Sequence, residues 1–211
     1  MITVHHLGIS QSDRIVWLCE ELGLEYELVR YDRDPVTRYA PDSYRALHPA
    51  GTAPVMTDGD LVLGESAAII EYLARRYGND RLMVGSGQPN FADYLFWFHF
   101  ANGSMMPSLM MPMIIKMTGG SEEAATLLTA RSERNYAMLE DRLGKVPWLA
   151  GQEFTAADIM MAFPLTTMRL FAPRDFSAFP NIQAYLGRIA ARPAFQRAMD
   201  KADPGLALPL S

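Results

Sequence analysis

The spacing of apolar residues changes along this chain and divides it into two parts. In the first part, a short run at Ile2–Leu7 that is half β-branched predicts a strand, and an alternating run at 26–30 predicts another. Between them, the apolar pattern predicts a helix that begins near Ser10 and reaches Leu22. Gly23 follows immediately, as expected of a residue that ends a helix.

A second group of short apolar runs follows a polar, proline-containing stretch at 31–47, for which we predict one short helix at 42–47. The runs at 55–57 and 61–63 flank Asp58-Gly59-Asp60, which predicts a β-hairpin. A helix over 66–77 follows, and its apolar face carries Ile69, Ile70 and Leu73. The predicted order is therefore β-α-β, a variable stretch, and then β-β-α.

The second part of the chain has only helical patterns. Residues 78–90 are rich in glycine, proline and polar side chains, which is typical of a linker. Helices are predicted from Phe91 into the 110s, over 121–143, from Thr155, over 180–189 and over 193–201. The predicted domains are 1–78, a linker at 79–90 and an all-helical domain at 91–211.

Thr155 and Asp158 form a capping box at the start of one of these helices, with Asp in place of the usual Glu or Gln. We therefore expect Asp158 to be structural. A lost cap costs about 1 kcal/mol or more.

Composition excludes several classes of protein. Apolar residues make up 49% of the chain, the net charge is −5 and there is no basic cluster, which argues against disorder and against a nucleic-acid partner. The single cysteine, Cys19, rules out an intrachain disulfide and fits a reducing compartment. The first residues do not form a secretory signal, and polar residues interrupt the apolar stretch at 91–115. We expect a cytoplasmic protein that does not span a membrane.

The segment HPAGTAPVMTDGDLVLGESAAII, residues 48–70, contains the most specific pattern. A proline at the start of a strand leaves the preceding backbone groups free for an extended ligand. A helix that begins with Ser66 at its cap, next to Glu65, directs unpaired N–H groups at a nearby carboxylate. With FTAADI at 154–159, this segment closely resembles the cytosolic glutathione transferases of the bacterial, serine-type (theta-like) kind. The resemblance covers the whole chain.

The resemblance implies the glutathione transferase fold, an α/β thioredoxin-like N-terminal domain followed by an all-α domain. It also implies an enzyme that conjugates the thiolate of its co-substrate glutathione to small apolar electrophiles, as in detoxification, and a homodimer. Two alternatives stay open at this point. One is a glutathione-binding regulatory or structural protein of the same fold, and the other is a different glutathione reaction, such as peroxide reduction or isomerisation.

Such an enzyme needs a hydrogen-bond donor beside the glutathione sulfur, because a free thiol has a pKa of about 8.5. The first tyrosine, Tyr26, lies past the first strand and its loop, and Cys19 lies among apolar residues of the first helix. Ser10 and Ser12 remain. Ser10 in S-Q-S-D-R resembles the serine of the serine-type classes, so we assign it to the thiolate, with Ser12 in reserve. The alternative is that Ser10 and Asp13 form only a capping box.

The resemblance also assigns the remaining glutathione contacts. Glu65 and Ser66 would hold the γ-glutamyl end, Pro54 would follow a cis bond, and the Ala53 backbone would pair with the cysteinyl backbone. Thr52 stands where many relatives have a basic residue, which puts the contact to the glycyl carboxylate in doubt. Arg33, Arg38 and Arg45 could replace it, although each is expected to be a solvated surface charge.

The electrophile pocket is expected in the helical part. Residues 105–117 contain six methionines, whose flexible side chains suit varied apolar substrates but equally suit core packing. The candidate pocket residues are Asn102, Met106 and Met110. No metal site is expected, because His5 and His6 alternate on a strand with no acid or cysteine nearby in the sequence.

Overall fold

A computed structural model describes residues 1–210 of the chain. Contacts between Cα atoms cluster into two compact units. The first consists of residues 1–83 and 190–207, and the second is built mainly from residues 84–189.

The elements in chain order begin with β1 (Ile2–Leu7), α1 (Asp13–Leu22), β2 (Glu27–Tyr31), α2 (Asp42–Arg45), β3 (Val55–Asp58), β4 (Leu61–Gly64) and α3 (Ser66–Arg76). They continue with α4 (Phe91–Phe100), α5 (Met106–Met117), α6 (Glu122–Leu143), α7 (Ala156–Leu165), α8 (Pro180–Ala190) and α9 (Pro193–Ala202). A π-helical turn at Ala101–Met105 joins α4 to α5, and a 3₁₀ turn at Thr167–Leu170 follows α7.

The four strands form one mixed sheet in the order β2-β1-β3-β4. β1 is parallel to β2 and antiparallel to β3, and β3 pairs with β4 as the predicted hairpin. This is the thioredoxin-like layout predicted from the sequence. Strand β2 begins and ends one residue later than predicted, and every other strand begins where it was expected.

Helix α1 begins at Asp13, three residues later than the apolar pattern suggested. The capping-box interpretation of Ser10 is wrong, because its side chain bonds to Ser12 and the helix has no side-chain cap. The C-terminal end is as predicted: Gly23 has φ +67° and donates its N–H to the Cys19 carbonyl. This left-handed conformation favours glycine.

Helix α3 packs its predicted apolar face into the core of the first unit. Ile69, Ile70 and Leu73 are completely buried, whereas Arg75 and Arg76 are exposed. Its N-terminal end differs from the expectation, since Glu65 and not Ser66 occupies the cap position.

Helix α9 belongs to the first unit because it packs against α1. The rings of Trp17 and Phe195 meet edge to face with centroids 4.9 Å apart. Arg192 donates through Nε and Nη2 to the two carboxylate oxygens of Glu21, at 2.6 and 2.7 Å. Nothing in the sequence pattern of 193–201 indicated that this helix returns to the sheet-containing unit.

In the second unit, α5 packs against α6 and α4 packs against α7. The predicted capping box is present at the start of α7, where Thr155 and Asp158 each bond to the other's backbone N–H. The side chain of Ser121 caps α6 by accepting from Ala124 N–H at 3.3 Å. The π-helical turn was not predicted, because the stretch at 91–117 is apolar on most faces and has no clear period that an extra residue would visibly interrupt.

Candidate functional site

Three connections of the first unit meet at one edge of its sheet. His5, near the end of β1, pairs with Val55, the first residue of β3. Val55 also pairs with Gly64, the last residue of β4. The loop after β1, the Ala53-Pro54 bond before β3 and the start of α3 after β4 therefore lie at the same edge.

Ser10 occupies the loop between β1 and α1. Its Oγ lies 2.7 Å from Ser12 Oγ, and its carbonyl accepts from Asp13 N–H at 3.1 Å. The residue is 5% exposed, so it only just reaches the surface. Because the N-terminus of a helix carries partial positive charge, an anion held by this hydroxyl would be further stabilised by α1.

Ser12, the reserve candidate, is completely buried. Its Oγ lies 2.8 Å from His6 Nδ1 and accepts from Leu7 N–H at 3.2 Å. These contacts tie Ser12 to β1, so Ser10 has the better access to a ligand.

The peptide bond between Ala53 and Pro54 is cis, as the resemblance implied. Thr52 is exposed, Ala53 is half-buried and Pro54 is buried. The pairing of β3 with both neighbours begins at Val55. The backbone N–H and C=O of Ala53 therefore lie outside the strand pairing, where an extended ligand can use them.

Glu65 and Ser66 follow β4 and open α3. Glu65 is exposed and has φ +68°, an unusual backbone conformation for a residue other than glycine. Such conformations cluster at ligand sites, where the surrounding structure maintains them. Ser66 is buried, and its Oγ accepts from Arg14 Nη1 at 3.3 Å.

Arg14 connects two of these segments and was not predicted as a site residue. Besides Ser66, its Nη1 donates to Gln11 Oε1. Burial lowers the pKa of Arg14 to about 10, and the nearby Asp13 carboxylate opposes that change. The guanidinium is therefore still charged at neutral pH, which gives this edge a buried positive charge. The sequence showed Arg14 only by its spacing in S-Q-S-D-R, since Ser66 lies 52 residues away.

The three arginines considered as replacements at Thr52 have different surroundings. Arg38 and Arg45 are exposed, as expected, and Arg45 pairs with Asp42. Arg33 is not a free surface charge: its Nε donates to the Gly8 carbonyl at 2.8 Å and its Nη2 to the Ile9 carbonyl at 3.2 Å. Arg33 thus braces the loop that carries Ser10.

Cys19 and Tyr26 lie in surroundings that do not suit thiol activation. Cys19 is completely buried, and burial raises the pKa of its thiol to about 12. The Tyr26 hydroxyl donates to Glu20 Oε1 at 2.8 Å.

The candidate pocket residues of the second unit differ in exposure. Met106 is buried, Met110 is exposed, and Asn102 is half-buried within the π-helical turn. Single π-helical turns are frequent at functional sites. A cleft of about 330 Å³ in this unit is lined by Leu109, Met113 and Tyr136, among others, but not by the three predicted residues.

Within residues 1–210, no helix is both long and apolar enough to cross a membrane. Over the same residues, histidine, cysteine and acidic side chains do not come together in a group that could hold a metal ion.

Comparison with known proteins gives a consistent result. The family model for the N-terminal domain of glutathione S-transferase matches residues 10–76, and the model for the C-terminal domain matches 101–193. The chain is 32% identical to glutathione S-transferase 3 of Schizosaccharomyces pombe, covering 96% of this chain and 88% of that protein. It is also 32% identical to glutathione S-transferase 3 of Zea mays, covering 87% and 86%. A crystal structure of a glutathione S-transferase from Actinobacillus pleuropneumoniae superposes with a TM-score of 0.90 at 37% identity, covering 98% and 94%.

Proposed function

The chain belongs to the glutathione S-transferase family, and we propose that its Ser10 hydroxyl stabilises the glutathione thiolate during transfer. The protein is a glutathione transferase with glutathione as its co-substrate. The observation that carries the proposal is the position of Ser10. Its carbonyl accepts from the first N–H of α1, and the residue lies in the loop after β1, at the edge of the sheet where β3 begins and β4 ends.

The chemistry required of Ser10 is a lowered thiol pKa. At neutral pH only a few per cent of free glutathione is thiolate, because its pKa is about 8.5. A hydroxyl donor and the positive end of α1 both favour the charged form of the sulfur. The thiolate then attacks an electrophilic carbon of a bound substrate, and proximity lowers the remaining barrier.

The start of α3 supports binding of the γ-glutamyl end. In this arrangement Glu65 pairs with the ammonium group, while the Ser66 hydroxyl and the first N–H groups of α3 take the carboxylate. Arg14 supports this role, since it is charged, buried and bonded to Ser66 Oγ. It brings a positive charge beneath the place assigned to that carboxylate.

The segment before β3 supports binding of the cysteinyl and glycyl parts. The unpaired backbone of Ala53 can exchange hydrogen bonds with the cysteinyl backbone, as an added strand does. Thr52 is exposed beside it and can give one hydrogen bond to the glycyl carboxylate. Thr52 has no charge to offer this carboxylate.

That lack of charge leads to a prediction for Thr52→Lys. An exposed ion pair contributes about 0.2–1 kcal/mol, so glutathione affinity should rise by up to roughly fivefold. Calorimetric titration at low and high salt measures the gain, which should shrink as salt screens the pair. Thr52→Gln is the matched control, because it adds length and a donor without charge. An equal gain from Gln would contradict the charge argument.

The wild-type protein provides the direct test of the proposed function. Ultraviolet absorbance of the thiolate, followed against pH for bound glutathione, should show a thiol pKa lowered by about two units. S-methylglutathione, which has no thiol, supplies the baseline. Binding without a shift would leave a site that only holds glutathione, as in the regulatory alternative. It would remove the role proposed for Ser10.

For the electrophile, we propose a small apolar compound held by the helical unit near Asn102, Met106 and Met110. The half-buried Asn102 in the π-helical turn and the exposed Met110 support this assignment. Methionine side chains adapt to varied apolar shapes. We propose that 1–78 and 91–211 are the two domains in sequence, with a linker between, although α9 packs with the first unit. We also propose a cytoplasmic location, which the single buried cysteine supports.

We further propose a homodimer with α3 and α4 at its interface. Helix α4 exposes the adjacent apolar side chains of Leu95, at 38%, and Phe96, at 49%, which supports an interface on this helix. Light scattering should give twice the chain mass of 23.6 kDa at every concentration tested. Phe96→Asp should shift the mass toward the monomer, whereas Leu127→Asp, at an exposed leucine of α6, should not. A monomeric wild type would contradict the proposal.

A further inference from the structure

A chain of four polar side chains runs from Ser10 into the core of the first unit. Ser10 Oγ lies 2.7 Å from Ser12 Oγ, and Ser12 Oγ lies 2.8 Å from His6 Nδ1. On the other side of the ring, His6 Nε2 lies 3.2 Å from Asp203 Oδ2. Ser12 and His6 are completely buried, so water does not compete for these hydrogen bonds.

The chemistry of each group fixes the direction of the hydrogen bonds. Asp203 can only accept as a carboxylate, so His6 Nε2 carries a hydrogen and donates it. In a neutral ring Nδ1 is then an acceptor, and the Ser12 hydroxyl donates to it. Ser12 Oγ in turn accepts from Leu7 N–H and from the Ser10 hydroxyl. Every hydroxyl hydrogen in the chain therefore points away from the surface and toward His6.

Addition of one proton reverses the whole chain. When Nδ1 is protonated it donates to Ser12, Ser12 donates to Ser10, and the Ser10 hydrogen points outward. That orientation is the one a thiolate needs from Ser10. The neutral state, in contrast, presents a Ser10 oxygen that can accept a hydrogen from a thiol.

We propose that His6 accepts the thiol proton of glutathione through Ser10 and Ser12, and that Asp203 holds the ring in the tautomer that can accept it. The S–H bond breaks and sulfur keeps the electron pair. The thiol hydrogen passes to Ser10 Oγ, the Ser10 hydrogen passes to Ser12 Oγ, and the Ser12 hydrogen passes to His6 Nδ1. The products are a thiolate and an imidazolium beside the Asp203 carboxylate. No electrons are transferred, and after the thiolate has reacted the His6 proton passes back through Ser12 and Ser10 to the leaving group or to water.

Ser12, His6 and Asp203 are positioning residues in this scheme, because they reach the sulfur only through Ser10. The inference rests on the proposed function of Ser10. It adds a destination for the proton that the thiol loses, following the logic by which a histidine and an acid activate a serine hydroxyl in other enzymes.

The charges around His6 are compatible with an imidazolium at this place. Burial raises the pKa of the Asp203 carboxyl, but its hydrogen bonds with His6 and Ile9 N–H outweigh this and hold the pKa below its usual value. Arg30, which pairs with His6 in the strand register, and Arg33 also act on Asp203.

Two more charged groups lie on the side of α1. Asp13 and Arg14 follow Ser12 directly, are both buried and have opposite charges. His5 is turned to the other face of the sheet, with its ring nitrogens 3.1 Å from the Tyr31 hydroxyl and 3.4 Å from Thr57 Oγ1. Asp203 is therefore the carboxylate bonded to the His6 ring.

The first test replaces Asp203 with Asn. The amide oxygen can still accept from Ile9 N–H, which donates to both carboxylate oxygens in the wild type. The amide nitrogen then faces His6 Nε2 and favours the Nδ1–H tautomer, which cannot accept the proton from Ser12. That tautomer already turns the Ser10 hydrogen outward, so the thiolate can still form, but its proton must leave the protein. We expect no imidazolium at His6 in this variant, and we expect thiolate formation to release to the buffer the proton that the wild type retains on His6. Asp200→Asn, at an exposed residue of α9, the helix that ends just before Asp203, is the matched control.

The second test uses the wild-type protein and does not depend on the folding of a variant. Nitrogen NMR of the His6 ring, recorded where the thiolate absorbance appears, should show both nitrogens protonated with glutathione. With S-methylglutathione the ring should stay neutral, because no thiol proton is available. A neutral His6 beside a formed thiolate would overturn the relay.

The two proposals fail in distinguishable ways. If Ser10→Ala keeps the lowered thiol pKa, the role of Ser10 fails and the relay fails with it. If Ser10→Ala loses the shift while wild-type His6 stays neutral and Asp203→Asn releases no more protons than the wild type, only the relay is overturned. Loss of the shift in Ser10→Ala, together with a glutathione-dependent imidazolium that Asp203→Asn abolishes, supports both.

Discussion

Ser10→Ala should lower turnover roughly 50-fold at a pH of about 6.5, while glutathione still binds with nearly unchanged affinity. A thiol with a pKa of about 8.5 is about 1% ionised at that pH, whereas one lowered by two units is about half ionised. In the proposed site the Ser10 hydroxyl acts mainly on the charged sulfur, and Glu65, Ser66 and the Ala53 backbone hold the rest of the ligand. The effect therefore falls on the chemical step.

The pH dependence gives this prediction a second readout. In the proposed mechanism Ser10 lowers the pKa of the bound thiol, so the advantage of the wild type should be greatest at low pH and disappear above about 8.5, where free thiols ionise on their own. Initial rates with an apolar electrophile across this range, together with calorimetric glutathione affinity, measure both quantities. Ser43→Ala, at an exposed serine of α2, is the control. If rate and affinity fell together, Ser10 would be a binding or folding residue.

Asp158→Ala should lower the free energy of unfolding by about 3 kcal/mol or more. Asp158 is completely buried. One carboxylate oxygen accepts from Leu149 N–H at 2.9 Å and from the Tyr185 hydroxyl at 3.0 Å. The other accepts from Thr155 N–H at 2.8 Å and from its hydroxyl at 3.2 Å. Truncation to Ala leaves four buried hydrogen-bond donors without an acceptor, and each unsatisfied donor lowers the free energy of unfolding.

Urea denaturation of the variant measures this loss. Asp141→Ala is the matched control, because its carboxylate is 67% exposed and pairs only with Lys145 across one helical turn. Its loss should change stability by less than about 0.5 kcal/mol. A similar small effect at Asp158 would mean that the packing around α7 relaxes to satisfy the orphaned donors.

The pH dependence of Asp158 can be isolated by comparison with Asp158→Asn. Burial raises the pKa of Asp158 from 3.8 to about 6, although the four donors act in the opposite direction. A raised pKa in the folded state means that the contribution to stability is complete below 3.8 and is lost as the pH rises through about 6. The stability difference between wild type and Asn variant should therefore fall over this range. A rising difference would mean that the donors outweigh burial.

The helix ends show what the sequence predicts well. Gly23 ends α1, Ser121 caps α6, and Thr155 with Asp158 begins α7, each where it was predicted. The cis bond before Pro54 followed from the resemblance. The capping signals succeed because the groups that form each bond lie within a few residues of one another.

The local predictions for two serines were wrong, because each side chain forms a hydrogen bond within a tertiary network instead of capping a helix. Ser10 resembles a cap, yet its hydroxyl bonds to Ser12, which is tied to β1 through His6 and Leu7. Ser66 Oγ likewise accepts a hydrogen bond from Arg14, and Glu65 occupies the cap position of α3. The estimate of about 1 kcal/mol for Asp158 counted only the local cap. It missed Leu149 and Tyr185, which are brought there by the packing of the helical unit.

The sequence by itself determined the family and the order of the elements, because those depend on short motifs and on residues that are neighbours in the chain. Only the tertiary structure decided that Arg14 lies beneath Ser66 and that Asp203, 197 residues from His6, bonds to its ring. The physical reason is that such contacts depend on how α1, α3 and α9 pack. Apolar periodicity shows which face of a helix is buried but does not show which polar groups will meet beside it.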